Sequence, residues 1–276
     1  MSSQNPFNYL SPITNPADFF NRERVKEELK ALLAKGSSCQ VIATRSGYGK
    51  TSLLRCLDGF AQEWDSSYVT AYLDMKEADC RTIAGFVKAA ETGWGDRTRA
   101  AKYKDPQNME TLLSVPQLAN RVQQLRKSGK RPVLLLDNFE AVARFPTEFN
   151  EDFYLDLRHI ATSKELGLSF VATSEQPIHE VVYPRNPIVS AFSNIFRTTY
   201  LFRFNEEDSH DFVTIERPGV PKFTEEEKQA ILEFAKDHPM RLQIACHFVL
   251  EAKLNGTSLT TGILKAMAAA DSRHAA

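Results

Sequence analysis

The sequence has few cysteines, no long apolar run and no excess of charge of either sign. Its four cysteines are scattered and form no Cys-x-x-Cys pair, and no histidine lies at metal-ligand spacing from them. This pattern argues against a disulfide framework or a zinc site and favours a reducing cytoplasm. No apolar stretch is long enough to cross a bilayer, and the N-terminus has no basic segment followed by an apolar core. Neither a membrane span nor a secretion signal is therefore predicted.

The near balance of charges also restricts the partners. A net charge of −1 over 276 residues gives no general attraction to nucleic acid or to an acidic membrane. Nucleic-acid binding remains possible, but it would require a local basic surface. The 42% of apolar and 25% of charged residues are typical of a globular protein, and the length suits one large domain or two smaller ones.

A buried strand, a glycine-containing turn and a helix start follow one another over residues 40–54. Gly47 and Gly49 allow the backbone to turn its N–H groups inward on a triphosphate, Lys50 supplies a mobile cation, and Thr51 supplies a hydroxyl for Mg²⁺. The pattern predicts a phosphate-binding loop. The expected nucleotide contacts are eight consecutive residues: Arg45, Ser46, Gly47, Tyr48, Gly49, Lys50, Thr51 and Ser52.

A second buried strand ends in an aspartate further along the chain. Residues 131–140 contain four apolar residues that lead to Asp137, a pattern typical of a strand buried on both faces of a parallel sheet. Ligands bind beyond the carboxyl ends of such strands, so Asp137 is expected to hold the water shell of the Mg²⁺ that Thr51 contacts. Glu140, and less obviously Asn138, are near enough to position an attacking water. The other interpretation of Asp137 is a turn residue that caps the next helix.

With these motifs, most of the chain resembles the STAND and AAA+ branches of P-loop ATPases, and bacterial STAND-type ATPase domains in particular. Residues 19–23 (Phe-Phe-Asn-Arg-Glu) are similar to that group's Phe-x-Gly-Arg-Glu box, with Asn21 in place of the glycine. Residues 168–174 are similar to the sensor strand, whose polar tip contacts the γ-phosphate. Residues 237–239 (Asp-His-Pro) are similar to the Gly-His-Pro segment of the helical lid.

The resemblance implies ATP or ADP as the nucleotide and assigns further roles. Either Thr173 or Ser174 would be the sensor, because the strand pattern fits both. In the lid, Pro239 would lie against the adenine, and Arg241 would either reach the phosphates or remain a surface residue of its helix. Arg197, ahead of the expected fifth strand, corresponds to the arginine with which oligomeric relatives reach a neighbour's γ-phosphate.

Besides Asn21, three positions depart from the family pattern. Thr44 stands in place of the first P-loop glycine, Asn138 in place of the acidic residue that often follows the metal aspartate, and Asp237 in place of the lid glycine. Because an amide cannot act as a base, Asn138 predicts slow hydrolysis. His238 is expected to be a hydrogen-bonding residue of the lid, since hydrolysis in this class depends on positioning a water.

The order of the periodic segments predicts an α/β fold, a parallel P-loop NTPase sheet sandwiched by helices and followed by a small all-helical lid domain. We place an N-terminal extended arm at 1–20, the ATPase core at 21–203 and the lid at 204–276. A capping box over residues 224–227 and an apolar stripe after Pro239 support the helical assignment of the lid.

Three functions are compatible with this interpretation. The first is an ATP-driven switch whose nucleotide state sets self-association or protein partners in signalling or defence. The second is an AAA+ ATPase that acts on DNA in transposition or replication, and the third is a nucleotide-binding scaffold without hydrolysis. The charged segment 92–106 is either a solvated loop or a contact site for a partner or nucleic acid.

Overall fold

The computed structural model describes residues 5–43, 45–95, 114–182, 190–257 and 260–275. They fall into two compact units that we call the sheet unit and the lid unit. The sheet unit comprises Arg22–Thr44 and Leu53–Tyr200, and the lid unit comprises Met1–Asn21, Arg45–Ser52 and Leu201–Ala276. In this division the arm and the P-loop both group with the lid helices, and the domain boundaries expected from the sequence stay a prediction.

The sheet unit is built on five parallel strands in the order β2-β3-β4-β1-β5. The strands are β1 (Ser38–Ile42), β2 (Tyr68–Asp74), β3 (Arg131–Asp137), β4 (Ser169–Ser174) and β5 (Phe196–Tyr200). The three central strands β3, β4 and β1 are buried almost along their whole length, as strands covered on both faces must be. The predicted α/β class with a parallel sheet is confirmed.

Helices flank this sheet and connect its strands. They are α1 (Glu23–Ala34), α2 (Lys50–Trp64), α3 (Ile83–Gly93), α4 (Val115–Lys127), α5 (Glu151–Thr162), α6 (Ile178–Val182) and α7 (Ser190–Ser193), with 3₁₀ turns at Ala78–Arg81 and Phe139–Arg144. In α4, Pro116 lies in the first turn, where its missing N–H leaves no bond unmade, and Leu118, Val122 and Leu125 form the buried face. The 3.6-residue apolar period therefore positions the helices against the sheet.

The lid unit is helical. It contains a 3₁₀ turn at Pro16–Asp18 and the helices α8 (Glu206–Thr214), α9 (Glu225–Ala235), α10 (Pro239–Leu254) and α11 (Thr261–Ala275). The capping box predicted at the start of α9 is confirmed, because the Thr224 hydroxyl accepts from the Glu227 N–H and the Glu227 carboxylate accepts from the Thr224 N–H. An equivalent box between Asn205 and Asp208 begins α8. Such caps contribute about 1 kcal/mol each.

The N-terminal arm is part of the apolar core of the lid unit. Phe7 is 2% exposed, and its ring lies 5.9 Å from those of Phe212 and Phe223. The Phe7 carbonyl contacts the His247 Nδ1 at 2.7 Å, and the Asn5 amide donates to the His247 carbonyl at 3.0 Å. Burial of these aromatic rings gives the arm its fixed course along the lid helices. Among the described residues, no helix combines the length and apolar character needed to cross a bilayer.

Candidate functional site

The predicted phosphate-binding loop joins β1 to α2 and has the backbone conformation that anion binding requires. Gly47 and Gly49 have φ of 78° and 94°, in the region that favours glycine. Alternation of this kind turns successive N–H groups to one side of the loop. The helix α2 begins at Lys50 directly after the turn, so the unpaired N–H groups of its first turn add to the positive potential. Thr51 is the second residue of α2, and Thr44 lies outside the described residues.

Within the lid unit, this loop is in contact with the start of α10. The Met240 N–H donates to the Gly47 carbonyl at 3.2 Å. A Cβ at position 47 would lie 2.7 Å from His238 Cε1 and 2.8 Å from Met240 Cβ, whereas a Cβ at Gly49 would meet no atom within 4 Å. Gly49 is therefore needed for its backbone angle, and Gly47 is needed both for its angle and for the close approach of the lid.

The His238 ring also packs against the loop. The imidazole meets the Tyr48 ring edge-on, with centroids 5.0 Å apart, and forms a hydrogen bond with the Ser46 backbone. Burial, together with the charge of Arg241, lowers the pKa of His238 below its ordinary value, so the ring is neutral at pH 7. The hydrogen-bonding role predicted for His238 is thus directed at the P-loop itself.

Other residues of the predicted nucleotide set have partners inside the lid unit. The Ser52 hydroxyl accepts from the Ile13 N–H of the arm at 3.1 Å. Arg241 forms a bidentate ion pair with Asp271 of α11, at 3.0 Å from Nε and 2.9 Å from Nη2. Pro239 is the first residue of α10. Arg45 and Ser46 are exposed.

In the sheet unit, Asp137 ends β3 and is completely buried, at 0% exposure. Its Oδ1 accepts from the Thr173 hydroxyl and from the Asn138 N–H, the latter at 3.1 Å. Its Oδ2 accepts from the Tyr72 hydroxyl at 2.8 Å. A buried carboxylate requires such donors, because desolvation without them costs several kcal/mol.

Tyr72 is tied to this carboxylate from the neighbouring strand β2. Burial, and then the charge of Asp137, raise the pKa of the Tyr72 phenol above its ordinary value, so the hydroxyl remains a donor. The Arg55 guanidinium of α2 lies 3.6 Å from the centroid of the Tyr72 ring, within the range of a cation–π contact. This contact joins α2 to the tyrosine that donates to Asp137.

Asn138 follows Asp137 in a left-handed conformation, with φ of 53°, and its side chain turns to a second aspartate. Its Nδ2 donates to Asp74 Oδ1 at 2.9 Å. Asp74 ends β2 and is the register partner of Asp137. Two carboxylates thus lie side by side at the carboxyl edge of the sheet, where parallel sheets bind their ligands.

The remaining predicted residues occupy different surroundings. Of the two sensor candidates, Thr173 contacts Asp137, whereas Ser174 donates to the Gln176 carbonyl and accepts from Gln40, both at 2.7 Å. Glu140 lies half-buried in the 3₁₀ turn after β3. Arg197 lies within the edge strand β5 rather than ahead of it, and its side chain is exposed. Residues 96–106 of the charged segment lie outside the described residues.

Two of the residues that replace family glycines lie at left-handed positions. Asn21 and Asp237 replace family glycines, and their φ angles are 59° and 62°. Among non-glycine residues, asparagine and aspartate are the ones most often found in this region. The Asn21 amide donates to Asp208, and Asp237 accepts from the Ser209 hydroxyl at 2.7 Å. The chain therefore keeps both turns without glycine.

Sequence reasoning missed Arg55, Tyr72, Asp74 and Asp271. Asp74 had the same signal as Asp137, an aspartate directly after a leucine at the end of a β-rich segment. Tyr72 and Arg55 had none, because their roles depend on which strand and helix become neighbours. The pairing of Asp271 with Arg241 joins two helices and has no local signature.

A family model described as an AAA domain matches residues 33–177, more than half of the chain. The Walker-type ATPase PABY2304 of Pyrococcus abyssi is similar in structure, with a TM-score of 0.68 at 16% identity over 95% of this chain and 73% of that one. The Aeropyrum pernix ORC2 protein, in its ADPNP and ADP complexes, gives a TM-score of 0.66 at 16% identity over 95% and 71%.

A third similar structure is domain III of the replication initiation protein DnaA of Thermotoga maritima. It gives a TM-score of 0.55 at 14% identity, over 94% of this chain and 96% of that one. At such identities, these likenesses establish the fold. No curated protein matches the chain.

Proposed function

The chain belongs to the AAA family, and from this premise we propose that it binds ATP with Mg²⁺, hydrolyses it slowly and acts as a nucleotide-dependent switch. The observation that carries the proposal is the P-loop backbone. Two glycines at positive φ precede a 15-residue helix that begins with Lys50 and Thr51. This combination of inward N–H groups, a helix N-terminus and a mobile cation matches the charge and shape of a triphosphate.

Each predicted residue has a physical role in this proposal. The N–H groups of the loop cradle the phosphates, and the Lys50 ammonium balances their charge. Pro239, at the first position of α10, offers an apolar face to the adenine. Thr173, hydrogen-bonded to Asp137, is better placed than Ser174 to couple the sensor strand to the metal aspartate.

The residues also fit Mg²⁺, which prefers oxygen ligands and retains several waters. Thr51 would supply a hydroxyl oxygen, and Asp137, each of whose oxygens already accepts a hydrogen bond, would hold the water shell of the ion. The described residues contain no group of three or more His, Cys, Asp or Glu that could hold a metal by themselves. Such a donor set suits an ion that arrives with the nucleotide. When bound, Mg²⁺ would neutralise charge on the transferring phosphate.

Slow turnover follows from Asn138. Its amide cannot accept a proton, and it is bonded to Asp74. Glu140 remains a candidate for positioning the water. A long-lived nucleotide complex is what a switch requires, because a ligand shifts an equilibrium only by its differential affinity for two states. The contact of Gly47 with Met240 and of Tyr48 with His238 gives the lid a direct way to respond to the loop.

The test is nucleotide binding by the parent protein and by Lys50→Ala. Ligand at a thousandfold excess over its Kd should raise the free energy of unfolding of the parent protein by about 4 kcal/mol, and that of the variant by far less. Calorimetry and thermal melts measure both, and Lys164→Ala, at an exposed lysine of the sheet unit, is the control. A parent protein with no shift in millimolar Mg-ATP would refute the proposal.

The switch itself is tested by association. Sedimentation in ATP, in ADP and without nucleotide should show different species, and Arg197→Ala should weaken any nucleotide-dependent self-association if this exposed residue contacts a neighbouring copy. Identical species in all three conditions would remove the support for a switch. ATP binding without turnover would favour the scaffold alternative.

A second candidate, an ATPase that acts on DNA, is favoured by the names of the similar structures, since DnaA is a replication initiation protein. Domain III of DnaA shares the fold of this chain. The net charge of −1 requires that any DNA contact be local. A DNA-binding measurement over a salt series separates the two functions, because phosphate contacts give a steep salt dependence.

A further inference from the structure

The two aspartates at the carboxyl edge of the sheet differ in what they can offer to a ligand. Asp137 has no exposed surface, and the Tyr72 hydroxyl, the Thr173 hydroxyl and the Asn138 N–H occupy both of its oxygens. Asp74, its register partner, is half-buried. It accepts the Asn138 amide and the Lys76 N–H on Oδ1, at 2.9 Å and 3.0 Å.

The other oxygen of Asp74, Oδ2, accepts no hydrogen bond from the residues that the structure describes. Two donors on one oxygen fix the plane of the carboxylate and leave its second oxygen as an acceptor of defined direction. A general base requires this arrangement, an oriented carboxylate with one unused lone-pair side. Asp74 is therefore held in place through Oδ1, and its Oδ2 can accept a proton from a water.

We propose that Asp74 is the catalytic carboxylate that orients and deprotonates the attacking water, with Asn138 as its positioning residue. The inference rests on the proposed ATPase function and names the group that performs its chemical step. The family's acidic residue is replaced by Asn138 after β3, but Asp74 supplies a carboxylate at the end of the adjacent strand β2. The Asn138 amide holds this carboxylate by a hydrogen bond.

The step balances without a further reactant. The water oxygen forms a bond to the γ-phosphorus, the bond from that phosphorus to the oxygen bridging to ADP breaks, and the electron pair leaves with ADP. One proton of the water remains on the phosphate product. The other passes to Asp74 Oδ2 and from there to solvent.

Glu140 is the competing carboxylate. It belongs to a 3₁₀ turn that follows the left-handed residue Asn138, so the chain has already changed direction between Asp137 and Glu140. Asp74 instead ends β2 in register with Asp137. It also accepts a hydrogen bond from Asn138, the residue that follows β3. Fixed strand ends position a reactive group better than a turn does.

The experiment compares Asp74→Asn with the parent protein. The substitution removes the charge but keeps an oxygen that accepts from Asn138. We expect turnover to fall about 100-fold, the usual contribution of general base catalysis, with Mg-ATP affinity and melting temperature unchanged. Affinity for ADP with aluminium fluoride, which mimics the planar phosphoryl group with its apical water, should also fall. Glu77→Gln removes an exposed charge near Asp74 and should change none of these.

Two further variants separate a chemical role from a structural one. Asp74→Asn combined with Asn138→Asp exchanges carboxylate and amide across the same hydrogen bond and should recover turnover above that of Asp74→Asn alone. Glu140→Gln should lower turnover less than Asp74→Asn does.

Three results would overturn the assignment. They are parental turnover in Asp74→Asn, a loss in Asp74→Asn that the exchange does not relieve, and a parent protein that binds nucleotide but turns over no faster than Lys50→Ala. A parent protein that binds no nucleotide would instead refute the proposed function itself.

Discussion

The P-loop and the carboxylate cluster reach their conformations by different means. Gly47 and Gly49 adopt positive φ over a few consecutive residues, so the loop is shaped by its own backbone. The cluster joins Tyr72, Asp137 and Thr173 from three adjacent strands, and it exists only because the sheet has the order β2-β3-β4. The P-loop can therefore be recognised from a sequence motif, whereas the cluster can be recognised only when the pairing of the strands is known.

The largest expected loss of stability comes from a substitution in the cluster. Asp137→Ala leaves the Tyr72 and Thr173 hydroxyls without their acceptor, whereas the Asn138 N–H still has the Thr173 hydroxyl oxygen at 3.2 Å. Each unsatisfied buried group costs about 1 to 3 kcal/mol. We expect a loss of about 4 kcal/mol in the free energy of unfolding, together with loss of Mg²⁺-dependent nucleotide binding. Urea denaturation measures the first, with exposed Asp79→Ala as control. A loss below about 1 kcal/mol would show that the cluster is not stabilising.

At the loop, the corresponding change is Gly47→Ala. The substitution places a side chain at φ of 78°, with contacts of 2.7 Å and 2.8 Å to His238 and Met240. We expect a cost of about 3 kcal/mol, of which about 1 to 2 comes from the backbone angle and the rest from overpacking. Gly36→Ala, at φ of 69° with no neighbour within 4 Å, isolates the backbone part. Equal losses of stability at the two positions would mean that His238 and Met240 move away from the new side chain without a measurable cost.

Tyr72→Phe removes one donor of the cluster and should cost about 1 kcal/mol at neutral pH. Burial and the charge of Asp137 raise the pKa of Tyr72, so the folded protein holds this proton more tightly than the unfolded chain does. The resulting stability is fully present below the unfolded pKa of about 10 and is lost as the pH rises through the higher folded pKa. The difference between the parent protein and Tyr72→Phe should therefore shrink above about pH 10, as measured by unfolding at a series of pH values. A constant difference would contradict the shift.

The smallest effect concerns Arg241 and Asp271 in the lid. This partly exposed bidentate pair should show a coupling of about 1 kcal/mol or less in a double-mutant cycle of Arg241→Gln and Asp271→Asn. If Arg241 also reaches the phosphates, Asp271→Asn should raise the affinity for ATP, because the arginine loses its competing carboxylate, and Arg241→Gln should lower it. Unchanged affinity in both variants would make Arg241 a surface residue of its helix.

Much of the fold was accessible from local pattern. The buried strand ahead of the P-loop, the buried strand that ends at Asp137 and the capping box at Thr224 all agree with the structure, since each depends on residues within one element. The course of the arm was not accessible. Phe7 is fixed by aromatic rings of the lid more than two hundred residues away, a contact that no periodicity in the arm encodes.

By itself, the sequence determined the P-loop, the buried aspartate at the end of β3 and the helical character of the lid, because glycine conformations, apolar periods and caps act over a few residues. Only the tertiary structure decided that Thr173 rather than Ser174 meets Asp137, that Asn138 holds Asp74, and that His238 contacts the loop. These choices depend on strand order and register, and on the packing of a helix against a turn. The physical reason is that hydrogen bonds and ring contacts join groups by their positions in space, which the chain acquires only when its core has closed.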